Sequence, residues 1–420
     1  MLARLWRRAN RWLLAGTGKS GTPFSQPHSR SAHETNIRAS TVPTVAYVAF
    51  LLSLIAEPVQ RALIYLHPVR IPFNTDFTKP ELVGFAPGKV LPFNLTTEDG
   101  AVLGAWQVLP REVYERAVEE TYGDWESMPE GPLPQSVFDA ALADPARPTV
   151  IYFHGNAATR AASNRVRTAR HLTDLGANFV IIDYRGFADS TRSPPPSEEG
   201  LLVDARRVWD YVNRERGVPA ERIAIMGQSL GTGVSAGLAG RLAKEGMTPR
   251  AVILVAPFSS IAALLETYKL GSIIPLLSPL RIVPGLLESV LRLLRTRFDT
   301  RGVIETIRAP ILILHAHNDP VIPLSHSRTL TDHLLAPLLL RPADALASEV
   351  GDDSGKGRKE LVREYKAGGW GVVSRFERQE GFGPVIWAEA LKGAHNEIGT
   401  HEYSIELVRR MLFPKSVQAQ

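Results

Sequence analysis

Ser229 lies in Gly227-Gln228-Ser229-Leu230-Gly231, the spacing G-x-S-x-G. These residues follow 222–226, a short apolar run with β-branched side chains that suits a buried strand. They lead into 236–244, a run of small and apolar residues that suits a helix. That is the context the motif needs: a sharp strand-to-helix turn that lifts a serine hydroxyl above a parallel sheet, with glycines where backbone and helix come close. A serine hydroxyl alone is a weak nucleophile. It needs a base within hydrogen-bond reach, and the base needs a third group to fix its tautomer and stabilise its charge. For a serine on such a turn the chain order is serine, acid, histidine. Ser229, Asp319 and His395 occur in that order, each just beyond a predicted strand. The rival acid position, after the strand ending at Val255, offers Pro257-Phe258-Ser259-Ser260 and no carboxylate. Asp183 also follows a strand but precedes the serine, so Asp183-Tyr184-Arg185-Gly186 reads as a structural turn. The chemistry such a set performs is acyl transfer, with Ser229 as nucleophile, His395 as base and Asp319 as the orienting acid.

Attack on an ester carbonyl develops negative charge on oxygen, which two backbone N–H groups should meet. One belongs to the residue after the nucleophile, Leu230, and the other to the loop after an earlier strand. There His154-Gly155-Asn156 follows the apolar run Thr149–Phe153. Asn156 is the expected second donor, and His154 is expected to brace the loop. No His/Asp/Glu cluster has metal-ligand spacing, so neither a metal nor a cofactor is expected.

The elements that must position these loops alternate strand and helix, the pattern of a parallel α/β sheet. Before the core, 91–95 and Val102–Val108 alternate around Thr97-Glu98-Asp99-Gly100, a hairpin turn signal. Residues 111–146 are acidic and Pro-rich and read as a surface insertion. Further strands are expected at 178–183, Ala251–Val255, 311–315 and Val385–Ala390, with helices at 161–175, 197–216 and Glu402–Leu412. Ser197 opens the second helix as its cap, with Glu198 and Glu199 in the first turn. Two insertions break the rhythm. Residues 259–301 are rich in Leu, Ile and Pro, with helical spacing around 286–294, and read as a helical lid over the site. Residues 342–366 are charged and Gly/Ser-containing and read as a disordered surface loop.

The 420 residues suffice for one large domain with appendages. The absence of cysteine excludes disulfides, thiolate metal sites, cysteine nucleophiles and S-palmitoylation. The net charge of +5 is modest and gathers at the front, where Arg4, Arg7, Arg8, Arg11, Lys19, Arg30 and Arg38 oppose only Glu34. A basic front end of this kind points to a membrane-flanking or targeting segment rather than a nucleic-acid arm. Residues 1–38 read as basic and flexible, and 39–66 as a transmembrane or membrane-associated helix, because 39–56 carry no charge and are mostly apolar. The positive-inside rule then puts the N-terminus in the cytosol and the rest across the membrane. The competing reading of the first forty residues is a mitochondrial transit peptide, Arg- and Ser-rich with almost no acids. Asn94-Leu95-Thr96 is a glycosylation sequon, usable only on the lumenal side.

The stretches HGNAATRAASNR, DYRGFADS, PSEEGLLVDARRVWDYV, GQSLGTGV, LILHAHNDPVIP and GAHNE resemble the α/β-hydrolase-domain family, most closely its ABHD12-like membrane branch. RIPFNTDFTKP and GAWQVLP fit that branch as well, and the likeness runs over residues 69–412, within an expected hydrolase domain of 69–415. The resemblance implies an α/β-hydrolase fold and a serine lipase in the endoplasmic reticulum membrane. Its active site would face the lumen and cleave acyl esters of monoacylglycerols or lysophospholipids. On matching positions it implies Ser229 as nucleophile, Asp319 as acid and His395 as base. Two departures stand out: Ala188 where the family commonly has glycine, and Ser193-Pro194-Pro195-Pro196, which lengthens the next loop. Two other functions stay open. One is a protein depalmitoylase of a related branch, whose members anchor through an N-terminal cysteine cluster that this chain lacks. The other is a non-catalytic membrane scaffold on the same fold.

Overall fold

The structure, a computed structural model, describes residues 56–123, 130–267, 284–339 and 354–414, with Ser53, Leu280 and the dipeptides 269–270 and 274–275. The chain divides into two units, Met1–Leu54 and Ile55–Gln420. The basic segment 1–38 and nearly all of the apolar segment 39–56 lie outside the described residues.

One ten-stranded sheet organises the second unit. Its strands are β1 (Val90–Thr96), β2 (Val102–Val108), β3 (Thr149–Phe153), β4 (Asn178–Ile182), β5 (Ile223–Gln228), β6 (Ala251–Val255), β9 (Ile311–Ala316), β10 (Arg363–Ala367), β11 (Gly371–Phe376) and β12 (Val385–Ala390); β7 (Lys269–Leu270) and β8 (Ile274–Pro275) form a small separate pair. The order across the large sheet is β1-β2-β4-β3-β5-β6-β9-β12-β11-β10. From β4 to β12 neighbouring strands pair parallel, while β1 and β2 at one edge, and β11 and β10 at the other, pair antiparallel.

Parallel strands covered by helices on both faces read as unbroken apolar runs, and each run here feeds two cores. Ile151, Val180, Ile223, Ile225, Leu254 and Ile313 pack on one face of the sheet with Trp209, Val234 and Leu238 from the helices Glu198–Asp210 and Leu230–Lys244. Their neighbours Val150, Phe179, Ala224, Met226, Ile253 and Leu314 pack on the other face with Val166 and Leu172 of the helix Ser163–Asp174 and Val408 of the helix Glu402–Leu412. The strands therefore have no wet side, and their C-terminal ends are left to carry the loops that face solvent.

Several expectations need correction. The helix Glu57–Tyr65 belongs to the hydrolase body, not to a membrane-spanning segment reaching residue 66. Tyr65 is buried and its hydroxyl lies 3.0 Å from Thr296 Oγ1, while Gln60 accepts from Arg295 N at 2.9 Å. Pro58 starts this helix and the Arg61–Glu57 pair braces it, so the charges that end the apolar run also begin a new element. Among the described residues no helix is long and apolar enough to cross a membrane. Residues 111–146 are more than a surface insertion. They form helices Arg111–Tyr122 and Gln135–Ala143, and Leu133, Phe138 and Leu142 are buried. The loop expected at 342–366 is likewise ordered in its second half: Ser354–Leu361 is a helix and β10 pairs with β11 at the sheet edge. Charge misled there because edge strands carry charged side chains on their solvent side. In 259–301 the described elements are the helices Ile261–Thr267 and Leu286–Arg292, the β7–β8 pair and the start of the helix Thr300–Ile304.

Candidate active site

β5 runs into the helix Leu230–Lys244 through Ser229 itself, which stands at φ 52°, ψ −122°. A non-glycine residue in that region stores about 1–3 kcal/mol of backbone strain and persists only where packing over-determines it. The packing is visible in the flanking glycines. A Cβ on Gly227 would lie 2.2 Å from Gly231 O, and one on Gly231 would lie 1.9 Å from Phe153 O. Both contacts are to backbone, so neither position admits a side chain. Ser229 N donates to Val255 O at 3.0 Å, and Thr232 Oγ1 donates to Ser229 O at 2.6 Å. Ser229 remains 9% exposed.

Two further strand ends meet next to the elbow, where Gln228 Nε2 donates to His395 O at 3.1 Å. Asp319 follows β9, and His395 sits in the short helix Ala394–Glu397 that follows β12. Because β9 and β12 are parallel neighbours, their end loops lie side by side, stitched by Ala394 N donating to Asn318 Oδ1 at 2.9 Å. His395 Nδ1 lies 2.8 Å from Asp319 Oδ2. A carboxylate only accepts, so Nδ1 carries the proton and Nε2 keeps the lone pair. The other oxygen, Oδ1, accepts from Val321 N at 2.8 Å and Ile322 N at 2.9 Å. Burial would raise the Asp319 pKa, but hydrogen bonds from His315 and His395 and the adjacent backbone amides outweigh it and hold the carboxyl well below its ordinary range.

Sequence reasoning missed three participants. His315 Nε2 lies 3.4 Å from Asp319 Oδ2 and 2.9 Å from Ile322 O; a histidine inside an otherwise apolar strand, four residues before the acid, was the available signal. Gln228, a polar residue closing an apolar strand, joins the elbow to the histidine loop. Its Nε2 donates to His395 O at 3.1 Å, and its Oε1 accepts from Tyr152 Oη at 3.0 Å and Asn164 Nδ2 at 3.2 Å. The third is Arg165, buried behind the 155–157 loop.

The expected oxyanion donors lie at the elbow. Leu230 opens the helix, where the first N–H groups have no intrahelical acceptor. Asn156 follows Gly155, whose added Cβ would sit 3.2 Å from Ser229 Cβ, so this loop lies against the serine. His154 is fully buried between Tyr184 and Phe187, with Nδ1 2.7 Å from Gly155 O, as a brace of the loop. Burial and then the charge of Arg165 hold its ring below the ordinary histidine pKa. Asp183 has a structural role: it accepts from Arg160 N at 2.9 Å and Arg160 Nη1 at 2.7 Å, and Arg160 also grips Asp189. The departure at Ala188 lies in this turn at φ 43°, the left-handed region glycine favours. A cavity of about 540 Å³ opens beside Ser259, Thr267, Arg301 and His326 and is lined by none of Ser229, Asp319 or His395.

The family model Hydrolase_4, described as serine aminopeptidase, S33, matches residues 144–287. Human protein ABHD12B is 34% identical over 276 residues, covering 65% of this chain and 69% of that protein. Rat lysophosphatidylserine lipase ABHD12 is 32% identical over 286 residues, covering 67% of this chain and 65% of that protein. The chain thus matches about two thirds of the length of these curated relatives. Among solved structures, an α/β-hydrolase from Vibrio vulnificus is 16% identical at a TM-score of 0.47, covering 76% of this chain and 88% of that one. With an elbow serine at the centre of a mostly parallel sheet and this degree of identity, the chain belongs to the ABHD12 family of α/β-hydrolases and is by class a serine ester hydrolase.

Proposed function

We propose that the chain hydrolyses the acyl ester of single-chain glycerolipids, monoacylglycerols or lysophospholipids, through an acyl-enzyme on Ser229. The observation that carries the reading is the His395 Nδ1–Asp319 Oδ2 contact of 2.8 Å beside a serine on a strained elbow. Relatives at 31–32% identity bear the name lysophosphatidylserine lipase, which supports the substrate class. Ser229 Oγ attacks the ester carbonyl while its proton passes to His395 Nε2. The oxyanion of the tetrahedral intermediate accepts hydrogen bonds from Leu230 N and Asn156 N. Its collapse breaks the ester C–O bond, and the glycerol oxygen leaves with the proton from His395 Nε2. Water then gives a proton to the same nitrogen and attacks the acyl-serine; collapse of this second intermediate breaks the acyl C–O bond to Ser229, releases the fatty acid and returns the proton from His395 Nε2 to Ser229 Oγ. Asp319 stays ionised throughout, because it steadies the imidazolium without taking its proton.

Segment 259–301 serves as a lid, and 39–56 anchors the chain in the endoplasmic reticulum membrane with the hydrolase unit lumenal. Asn94, exposed on the edge strand β1, would then be glycosylated. Labelling by a fluorophosphonate that vanishes in Ser229→Ala tests the nucleophile. Comparing turnover of a monoacylglycerol, a lysophospholipid and a palmitoylated peptide tests the substrate class; preference for the peptide would sink it. Protease protection in sealed microsomes, with a glycan check at Asn94, tests the topology.

A further inference from the structure

Arg165, in the helix Ser163–Asp174, is 4% exposed. Among the described residues no carboxylate pairs with it. Its Nη2 instead gathers consecutive carbonyls: Ala157 O at 2.8 Å, Gly155 O at 3.2 Å and, at longer range, Asn156 O at 3.5 Å. Nε and Nη1 are buried without a protein partner. Taking an unpaired guanidinium out of water is expensive, so its position calls for a compensating role. Burial draws its pKa below the ordinary arginine value, with Asp183 acting against that.

The opposite side of the same loop is equally constrained. Ala157 N, Ala158 N and Thr159 N donate to Tyr65 O at 2.9 Å, Val69 O at 2.7 Å and Ile71 O at 3.1 Å. Ala157 and Ala158 stand at φ 55° and 54°, a strained conformation for alanine that these bonds hold from both sides. The amide before them, Asn156 N, enters no backbone bond among the described residues. In a trans peptide the C=O and the next N–H point in opposite directions. With Gly155 C=O drawn toward Arg165 and His154 Nδ1, Asn156 N–H points the opposite way within the same peptide plane. Gly155 abuts the nucleophile, since a Cβ added there would lie 3.8 Å from Ser229 Oγ.

We propose that Arg165 is a positioning residue for the oxyanion hole: by holding the carbonyls of 155–157 it aims Asn156 N–H at the substrate oxygen, and its charge favours negative charge there. This rests on Ser229 being the nucleophile. Lysine replaces it only in part, because one ammonium on a flexible stem does not reproduce the planar fork.

The test uses the full-length chain in detergent, with p-nitrophenyl butyrate as substrate and a trifluoromethyl ketone as tetrahedral-adduct mimic. R165M is expected to lower kcat about 10²–10³-fold, the scale of losing one oxyanion donor. KM should stay within about threefold while ketone affinity falls in step with kcat/KM. R165K should lose roughly tenfold. R167M, at an exposed position on the same helix, should match wild type. A folded R165M with wild-type kcat overturns the proposal, as does a loss confined to KM with ketone affinity unchanged. If R165M does not fold, R165K decides: wild-type kcat and ketone affinity in that variant overturn it. A wild-type chain that fails to label with fluorophosphonate overturns the Ser229 reading and this one with it. A wild type that labels, beside a fully active R165M, overturns only this one.

Discussion

Asp319→Asn is the substitution whose outcome the structure dictates most tightly. An asparagine amide has one oxygen and one NH₂, and the surroundings choose which goes where. The Oδ1 position receives two backbone donors, Val321 N at 2.8 Å and Ile322 N at 2.9 Å, so the amide oxygen must stay there. The NH₂ group then takes the Oδ2 position, 2.8 Å from His395 Nδ1. Facing a donor, Nδ1 must become an acceptor, which moves the imidazole proton to Nε2. The nitrogen meant to take the Ser229 proton is then already protonated. Loss of the correct tautomer in a triad of this kind lowers kcat about 10⁴-fold, or roughly 5 kcal/mol of transition-state stabilisation. The volume is unchanged and both backbone donors stay satisfied, so the fold should survive. Steady-state hydrolysis of a soluble ester, with a thermal melt as the fold control, measures this. A folded Asp319→Asn retaining more than about a tenth of wild-type kcat would refute the reasoning and place the orienting acid elsewhere.

Other predictions follow from the packing around the site. Asp183→Asn should cost about 3–5 kcal/mol in denaturant unfolding, because it strips a carboxylate from the buried Arg160 guanidinium; a cost below about 1 kcal/mol would mean that Asp189 alone suffices. Gly231→Ala should fail to fold, since the new Cβ would meet Phe153 O at 1.9 Å, whereas Gly131→Ala, in open space, should be silent. His326 is held to about 4 by burial and then by the charge of His315, with Ser259 N and Oγ at Nδ1 and Thr267 Oγ1 at Nε2. Its folded pKa lies below its unfolded value, so the unfolded chain binds more protons between the two. The stabilisation is therefore complete above about pH 6.5 and is lost as pH falls toward 4, by at most about 3 kcal/mol. Melting temperatures from pH 7.5 to 4.5 should fall more steeply for wild type than for His326→Asn; parallel curves would discard the idea.

Legibility in the sequence followed the reach of the interaction. β3, β6 and β12 were readable with their observed bounds from their apolar runs, and β2 from alternation around its hairpin turn. Edge elements were not, since β10 is mostly exposed and its residues Arg363, Glu364 and Lys366 carry the composition of a loop. Helix Gln135–Ala143 was hidden by the prolines before it, although Phe138 and Leu142 are core residues. The roles of His315 and Arg165 could not be read for another reason, even though His315 stands out as a histidine in an apolar strand. Their meaning depends on which carbonyls and carboxylates face them across the fold, and no local pattern records that.

The residues alone determined the chemistry on offer: a serine between two glycines that tolerate no side chain, and a carboxylate and a histidine each placed after a strand in the order this turn requires. Tertiary structure decided which way those groups point. Parallel pairing of β9 with β12 sets the acid and histidine loops side by side, the acceptor-only carboxylate of Asp319 fixes the imidazole tautomer, and Arg165 with the 65–71 segment orients the peptide beside the nucleophile. Residue identity is local, but hydrogen-bond direction is set by partners far apart in the chain, brought within 3 Å of one another only by the packed sheet.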